Sequence, residues 1–473
     1  MIRMLNDRAR LPTALRNISS ARSWRPVDMV NWHRLVAPLR SLASQESAFT
    51  VHHVLYDMCT SFDILYQPIA TPTRPHPRMP APCERPRVAL FVDAPDHTSG
   101  VATTLRQWHA AAEREQAGLC IHYCGFEDQF PGGVRFAPVG TVTLGAYAGL
   151  KLCMPQVQEV FRRFEQAPPH VVHLSTPGPM GLLGLAAARR HGIPVVGTFH
   201  TDFPSYAEHL SGDPQLGVAT WRFMRWFYGQ MERVAAPSSD IRNKLIHQGF
   251  SPSRVQIVGR GVRTDAFSPE HRDPALRAEW GPNIRHWLLY VGRISREKNL
   301  PCLVEAFRLL AARRPDVGLV VVGKGPYEAE LREALAGLPV VFAGLRRGED
   351  LARHYASADL FVFPSRTDTF GVVLLEAQAS GLPVLVSNDG GPKDAMLPRR
   401  TGFIIEPMNP TLLARQAEAV LADEEARQFM GAEARRWAVR QTPEKSFQAF
   451  WNLHRSAVVP STAAERMQEG VPT

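Results

Sequence analysis

The sequence predicts an α/β protein of two doubly wound, Rossmann-like domains in series, facing each other across a cleft. Three observations predict it. Short apolar runs alternate with helical stretches, the pattern of βαβ units and parallel sheets covered by helices on both faces. That rhythm breaks near residue 270 and then starts afresh. The chain has 473 residues, too many for one domain of roughly 100–200 residues.

Residues 1–67 form a basic N-terminal extension. The first fifty hold eight arginines, no lysine, and only Asp7, Asp28 and Glu46 as acids, so more than half of the formal charge of +9 sits there. The segment lacks the apolar core of a secretory signal, although Arg-rich, acid-poor composition also occurs in organelle presequences. Two readings stay open: a solvated arm, or a basic surface segment that meets anionic lipid headgroups. No nucleic-acid reader motif accompanies the charge, so a nucleic-acid partner is not expected. FTVHHVLYDMCTSFDILY within it reads equally as strand or helix. Seven prolines between 68 and 87 remove backbone donors and fix φ, which makes this stretch an extended linker.

The first domain spans 88–270. VALFVDA (88–94) is a strand, HTSG a turn and VATTLRQWHAAAERE a helix; HVVHLS (170–175), helical GLLGLAAARRHG and PVVGTFH (194–200) repeat the scheme. TWRFMRWFYGQMERV (220–234) interleaves aromatics with arginines. It reads as a core helix with a basic solvent face, or as a helix contacting the acceptor or a membrane. The second domain spans 271–440, with strands WLLYVGR (287–293), VGLVVVG (317–323), PVVFAG (339–344), DLFVFPS (359–365) and LPVLVSN (382–388), and the helix LPCLVEAFRLLAARRP. A helix at 441–458 is expected to cross back to the first domain, and 459–473 to be a tail.

Composition narrows the function classes. Hydrophobic residues make up 45% and charged residues 21%, the balance of a soluble globular chain. No apolar run approaches the ~18 residues of a membrane span. Six cysteines in so long a chain are no disulfide framework, and Cys120 and Cys124 around His122 lack ligand spacing. The expectation is half-buried thiols in a reducing compartment, no metal site, and a cytoplasmic protein that is peripheral to the membrane where its arm engages lipid.

Doubly wound sheets bind ligands at the carboxyl ends of their strands, and two segments there carry chemistry. VGRISREKNL (291–300) places Arg293 just past a strand and Lys298 five residues on. Two cations beside a helix N-terminus suit a phosphate; the alternative is a solvated loop with Lys298 paired to Glu297 or Glu305. In PSRTDTFGVVLLEAQASGLPVLV (364–386) a helix begins near Gly371. Thr369, Phe370, Gly371 and Val372 would turn backbone N–H groups toward an anion, with glycine permitting close approach. Asp368 and Glu376 could each bond the vicinal hydroxyls of a sugar; otherwise Asp368 is an N-cap and Glu376 a surface residue.

Over residues 86–458 these segments resemble the retaining glycosyltransferases of family four, including members acting on glycolipid or mannosyl acceptors. The resemblance implies the GT-B architecture, with the Arg293 and Lys298 segment, including Gly292, holding the donor diphosphate. It implies that the acids at 368 and 376 bind the donor sugar and ribose, with Asp368 standing where glutamate is usual. GRGVRTDAFSP (259–269) is similar to the hinge motif GVDxxxF, with Arg263 in place of Asp. VVGKGP (321–326) is similar to the strand followed by GxGP. SGVATTL (99–105) resembles the GGV loop, with Ser99 for the first glycine and Gly100 and Val101 beside the donor. GTFHTDFPSY (197–206) puts His200 at the histidine that touches the donor sugar, and STPGPMG (175–181) resembles a loop of lipid-glycosylating members.

The implied activity is transfer of a hexose from a UDP- or GDP-sugar to a lipid or saccharide acceptor. The nucleotide sugar is a co-substrate and no cofactor or metal is implied. The rival reading is a catalytically silent binding protein on the same fold. Such a protein is expected to lose Arg293, Lys298, Asp368 or Glu376, and all four are present.

Overall fold

The computed structural model describes residues 85–93, 99–144, 150–406 and 408–458. The basic extension, most of the Pro-rich linker and the 459–473 tail lie outside the described residues. Continuous apolar runs form strands buried on both faces, as parallel sheets between helices require.

The first sheet contains β1 (Val88–Asp93), β2 (Leu119–Cys124), β3 (Val134–Phe136), β6 (Val171–Leu174), β7 (Val195–Thr198), β8 (Arg233–Ala236) and β9 (Val255–Ile257). All pairs are parallel, in the order β3-β2-β1-β6-β7-β8-β9. An antiparallel hairpin of β4 (Pro138–Leu144) and β5 (Leu150–Pro155) interrupts the alternation. The second sheet contains β10 (His286–Val291), β11 (Val317–Val322), β12 (Val340–Gly344), β13 (Leu360–Phe363), β14 (Val384–Ser387) and β15 (Gly402–Ile405). Its order is β12-β11-β10-β13-β14-β15, again parallel throughout. Each sheet therefore reverses direction beside its first strand, which opens a crevice at the strand ends.

The sequence reading of 220–234 as one helix needs correction. The helix is Pro214–Gly229, and β8 starts at Arg233. Asp213 caps it by accepting from Gln215 N at 2.8 Å. Met224, Phe227 and Tyr228 are buried, Arg222 and Arg225 are exposed, and Trp221 stacks on Phe199. Its apolar face is spent on the first core, and its basic face meets solvent.

Two connections join the domains side by side. Val262 N donates to Gln441 O at 2.8 Å, and a Cβ on Gly261 would lie 2.4 Å from Pro443 N. Only a residue without a side chain permits that approach. The helix Pro443–Val458 then buries Phe447, Phe450 and Leu453 with Val88, Leu90 and Trp108 in the core of the first sheet. Trp108 Nε1 donates to Ser446 Oγ at 2.9 Å, and Ser446 Oγ donates to Gly259 O at 2.7 Å, tying helix, hinge and crossing segment together. Arg263, unusual for the hinge motif, lies at the surface and pairs with Asp265 at 2.7 Å.

Candidate active site

In the second sheet the order reverses between β10 and β13, and the segments leaving those strands carry Arg293, Lys298, Asp368 and Glu376. Beyond β10, the buried Tyr290 donates its hydroxyl to Arg293 O at 2.8 Å and fixes the backbone. The glycine turn after β11 closes against the same loop. Ile294 N donates to Lys324 O and Tyr327 N to Ile294 O, both at 3.0 Å, and a Cβ on Gly325 would lie 2.1 Å from Ile294 O. VVGKGP thus supports Arg293 through backbone contact. Gly292 N donates to Val322 O at 3.0 Å in the same strand-end junction.

Lys298 ends a short turn, Arg296–Lys298, ahead of the helix Leu300–Arg313. Its side chain is buried, and Nζ donates to Asp368 Oδ1 at 2.9 Å, Asp368 Oδ2 at 2.8 Å and Tyr206 Oη at 3.3 Å. Neither sequence alternative for Lys298 forms: Glu297 accepts from Ser295 Oγ at 2.5 Å, and Glu305 from Arg308 at 2.9 Å. Burial opposes the lysine charge, yet the adjacent Asp368 carboxylate holds the ammonium well above the ordinary range. Asp368 is correspondingly no N-cap. Thr367 Oγ1 donating to Glu297 O at 3.2 Å and Asn299 Nδ2 to Pro364 O at 3.3 Å hold the two loops together.

The cap of the helix Val372–Ala379 is Gly371, at φ 86°, which contributes no side-chain bond. That conformation favours glycine, and the N–H groups of Val372 and Val373 precede the first bond of the helix, Leu374 N to Gly371 O at 3.0 Å. Phe370 turns into the second core. Thr369 bridges the domains instead of offering only its amide: Oγ1 donates to His200 O at 2.7 Å, and its carbonyl accepts from Ser238 Oγ at 2.8 Å. Across the cleft, a Cβ on Gly100 would lie 3.8 Å from Val372 Cγ2, so two helix N-termini face each other. Ser99, in place of the family's glycine, is extended at φ −75° and accepts from Ala102 N at 3.1 Å. It gains a cap where a positive φ is not required. The half-buried Val101 side chain packs on the first-domain core.

Glu376 is half-buried in the second turn of its helix and accepts from Tyr355 Oη at 2.9 Å. Burial raises its carboxyl to about 7, against the lowering effect of that bond. A free surface charge is therefore not what the residue is.

His200 follows β7 and is buried. Arg260 donates to its Nδ1 at 3.1 Å and sits 5.3 Å from the Trp108 ring centroid. Burial, reinforced by Arg260, keeps the imidazole well below its ordinary range and neutral. Asp93, where β1 ends, accepts from Thr176 Oγ1 at 2.5 Å and Met180 N at 2.9 Å, holding the STPGPMG loop. Asp368, Asp202, Lys244, Arg366 and Asp389 line a polar cavity of about 230 Å³ between the domains.

Sequence reasoning missed Tyr206, Arg260, Tyr355 and Asp93. Only Arg260 carried a local signal, a large cation between two glycines at a domain hinge. His122 stacks on Phe91 with ring centroids 4.8 Å apart, and Cys124 is buried with its thiol pushed up to about 12 by burial. Among the described residues no three His, Cys, Asp or Glu side chains gather as a metal cluster.

Comparison with known proteins agrees with this geometry. The family model described as glycosyl transferases group 1 matches residues 275–437, and that described as Glycosyltransferase Family 4 matches residues 98–266. A GDP-mannose-dependent alpha-mannosyltransferase of Mycobacterium tuberculosis is 38% identical over 273 residues, 58% of this chain and 69% of that protein. A sulfoquinovosyl transferase of Arabidopsis thaliana is 31% identical over 288 residues, 59% and 55% of the two chains. The solved structure of Anabaena HepE in complex with UDP and glucose shares the fold at a TM-score of 0.62 and 18% identity, covering 78% of this chain and 98% of that one. One family model falls on each sheet domain, and Lys298, Asp368, Thr369 and His200 make contacts where those domains meet; the chain belongs to glycosyltransferase family 4 and is a glycosyltransferase of GT-B architecture.

Proposed function

We propose that the enzyme moves mannose from GDP-mannose to a lipid-linked or saccharide acceptor, with retention at the anomeric carbon and without a divalent metal. The observation that carries the site is the buried Lys298–Asp368 pair at the strand-order reversal, beside Arg293 and the helix start at Val372. The choice of GDP-mannose rests on the mannosyltransferase relative. When the bond from the anomeric carbon to the β-phosphate oxygen breaks, negative charge grows on the departing diphosphate. Arg293, Lys298 and the N–H groups of the helix start stabilise that charge in a pre-set array. The acceptor hydroxyl attacks from the leaving-group face, and its proton passes to the departing phosphate oxygen. Asp368 and His200 hold the sugar, and Glu376 the ribose.

The test is transfer and hydrolysis by the full chain over GDP-mannose, UDP-glucose, UDP-galactose and UDP-N-acetylglucosamine, each with and without EDTA. GDP-mannose should lead by about tenfold or more, the scale of one lost hydrogen bond in donor recognition, and EDTA should leave its rate unchanged. A UDP-sugar preference would overturn the donor assignment. Strict dependence on Mg²⁺ or Mn²⁺ would overturn the protein-only neutralisation of the diphosphate.

We further propose that the basic extension brings the enzyme to anionic membrane, at the cytoplasmic face, where a lipid-linked acceptor resides. Among the described residues no helix is long and apolar enough to cross a membrane. Full-length protein should sediment with phosphatidylglycerol vesicles and come off as salt rises, because ionic screening weakens surface attraction. A chain starting at residue 85 should turn over donor but not sediment. Equal sedimentation of both chains would remove the extension from membrane binding.

A further inference from the structure

His200 is a buried residue whose two ring nitrogens stand in different situations. Nδ1 faces the Arg260 guanidinium at 3.1 Å. A guanidinium has donors and no acceptor, so Nδ1 must accept and the single proton of the neutral ring must sit on Nε2. Nε2 is itself buried and has no hydrogen-bond partner among the described residues. A buried N–H left unmade costs about 1–3 kcal/mol, and such orphans in folded proteins call for a reason. The backbone of the residue stands at the donor-side junction. Its carbonyl is bonded to Thr369 Oγ1 at 2.7 Å, so it abuts the turn that leads to Gly371 and the helix start.

Arg260 is held as firmly as the histidine. It is buried, its Nη1 donates to Val258 O at 3.2 Å, and it lies over the Trp108 ring. Trp108 is bonded to Ser446, which is bonded to Gly259 next to Arg260. Among the described residues this buried cation has no carboxylate partner; its contacts are a carbonyl, an aromatic face and the histidine. Burial lowers its pKa only to about 9, so it remains a cation at neutral pH.

We propose that Arg260 is a positioning residue that locks His200 in the Nε2–H tautomer, so that the histidine serves as a hydrogen-bond donor to an oxygen of the transferred sugar and never as a base. The sugar contact rests on the donor-side reading of His200 given above; the tautomer does not.

The test has a spectroscopic and a kinetic arm on the full chain. Nitrogen-15 spectra of histidine-labelled protein, with His200 assigned by its loss in His200→Gln, should show Nε2 protonated and Nδ1 bare. Arg260→Met should mix the two tautomers, and Arg260→Lys should restore the single one. A protonated Nδ1 in the folded wild type would overturn the proposal whatever the kinetics. For turnover, Arg260→Met should lower donor kcat/KM by about tenfold, as for one lost hydrogen bond. In the His200→Ala background the same change should add little, because coupled residues do not act additively. Equal losses in both backgrounds would show Arg260 acting only on the fold, and would overturn its action through the histidine. Wild-type turnover in His200→Ala would sink the sugar contact while the spectrum alone decides the tautomer.

Discussion

Lys298→Ala should lower kcat by about a hundredfold or more, as expected for removing one pre-set group from a charge that develops in the transition state. Arg293→Ala should do the same, since the proposed function assigns Arg293 to the departing diphosphate as well. The two differ in what they leave behind. Lys298 is bonded to both oxygens of Asp368, so its removal exposes a carboxylate beside the site meant for an anion. Asp368→Ala leaves a buried ammonium whose remaining hydrogen-bond partner among the described residues is Tyr206. Breaking a buried pair from one side costs about 3–5 kcal/mol, so Asp368→Ala should lower the thermal midpoint as well as turnover. The double variant Lys298→Ala/Asp368→Ala should recover stability relative to Asp368→Ala alone, and recover no turnover. A coupling of about 0.5–3 kcal/mol is the scale for residues in direct contact. Additive stability losses would dissolve the pair, and wild-type kcat/KM in folded Lys298→Ala and Arg293→Ala would remove the diphosphate site from this crevice.

That pairing marks where sequence stops being informative. β1, β6 and β7 of the first sheet and β10 to β14 of the second were legible because a parallel strand buried on both faces is an uninterrupted apolar run, as in VGLVVVG, whereas β2, β3, β9 and β15 were not read from the sequence. The β4–β5 hairpin was not either: PVGTVTL and LKLCMP carry apolar and β-branched residues but stand outside the strand–helix alternation, two strands with no helix between them. β8 was hidden because RVAA is only four residues long and follows the helix after a short connection, Gly229 being the one breaker between them. At the site, Arg293, Lys298, Asp368 and Glu376 were visible through residue type and spacing around strand ends. Their partners were not. Lys298 and Asp368 are 70 residues apart, and nothing in either motif says that the cation of one binds the acid of the other. Tyr355 sits in a helix whose aromatic looks like ordinary core, and it is core, with only its hydroxyl reaching Glu376. Such contacts are decided by tertiary packing, which local pattern does not encode.

Glu376 gives the sharpest dependence on pH. Its carboxyl is raised to about 7 by burial, partly offset by the bond from Tyr355. Only the ionised form can accept from both ribose hydroxyls, so donor kcat/KM should fall as pH drops through about 7, the value that free-enzyme groups impose on that ratio. Tyr355→Phe removes a bond that favours the charged form, and should carry the acid limb to higher pH. Glu376→Gln should abolish the limb and lower donor kcat/KM by about ten- to over a hundredfold, the cost of losing a hydrogen bond to a charged group. Stability must move in a matching direction. The folded pKa lies above the ordinary 4.5, so the unfolded chain ionises first, and wild-type stability is lost between 4.5 and about 7 as pH rises. Glu376→Gln has no such loss, and its thermal midpoint relative to wild type should climb across that window. A flat kcat/KM profile in wild type with an unchanged profile in Tyr355→Phe would take Glu376 out of donor recognition. A midpoint difference that stays constant with pH would show instead that the carboxyl is not held in its neutral form at all.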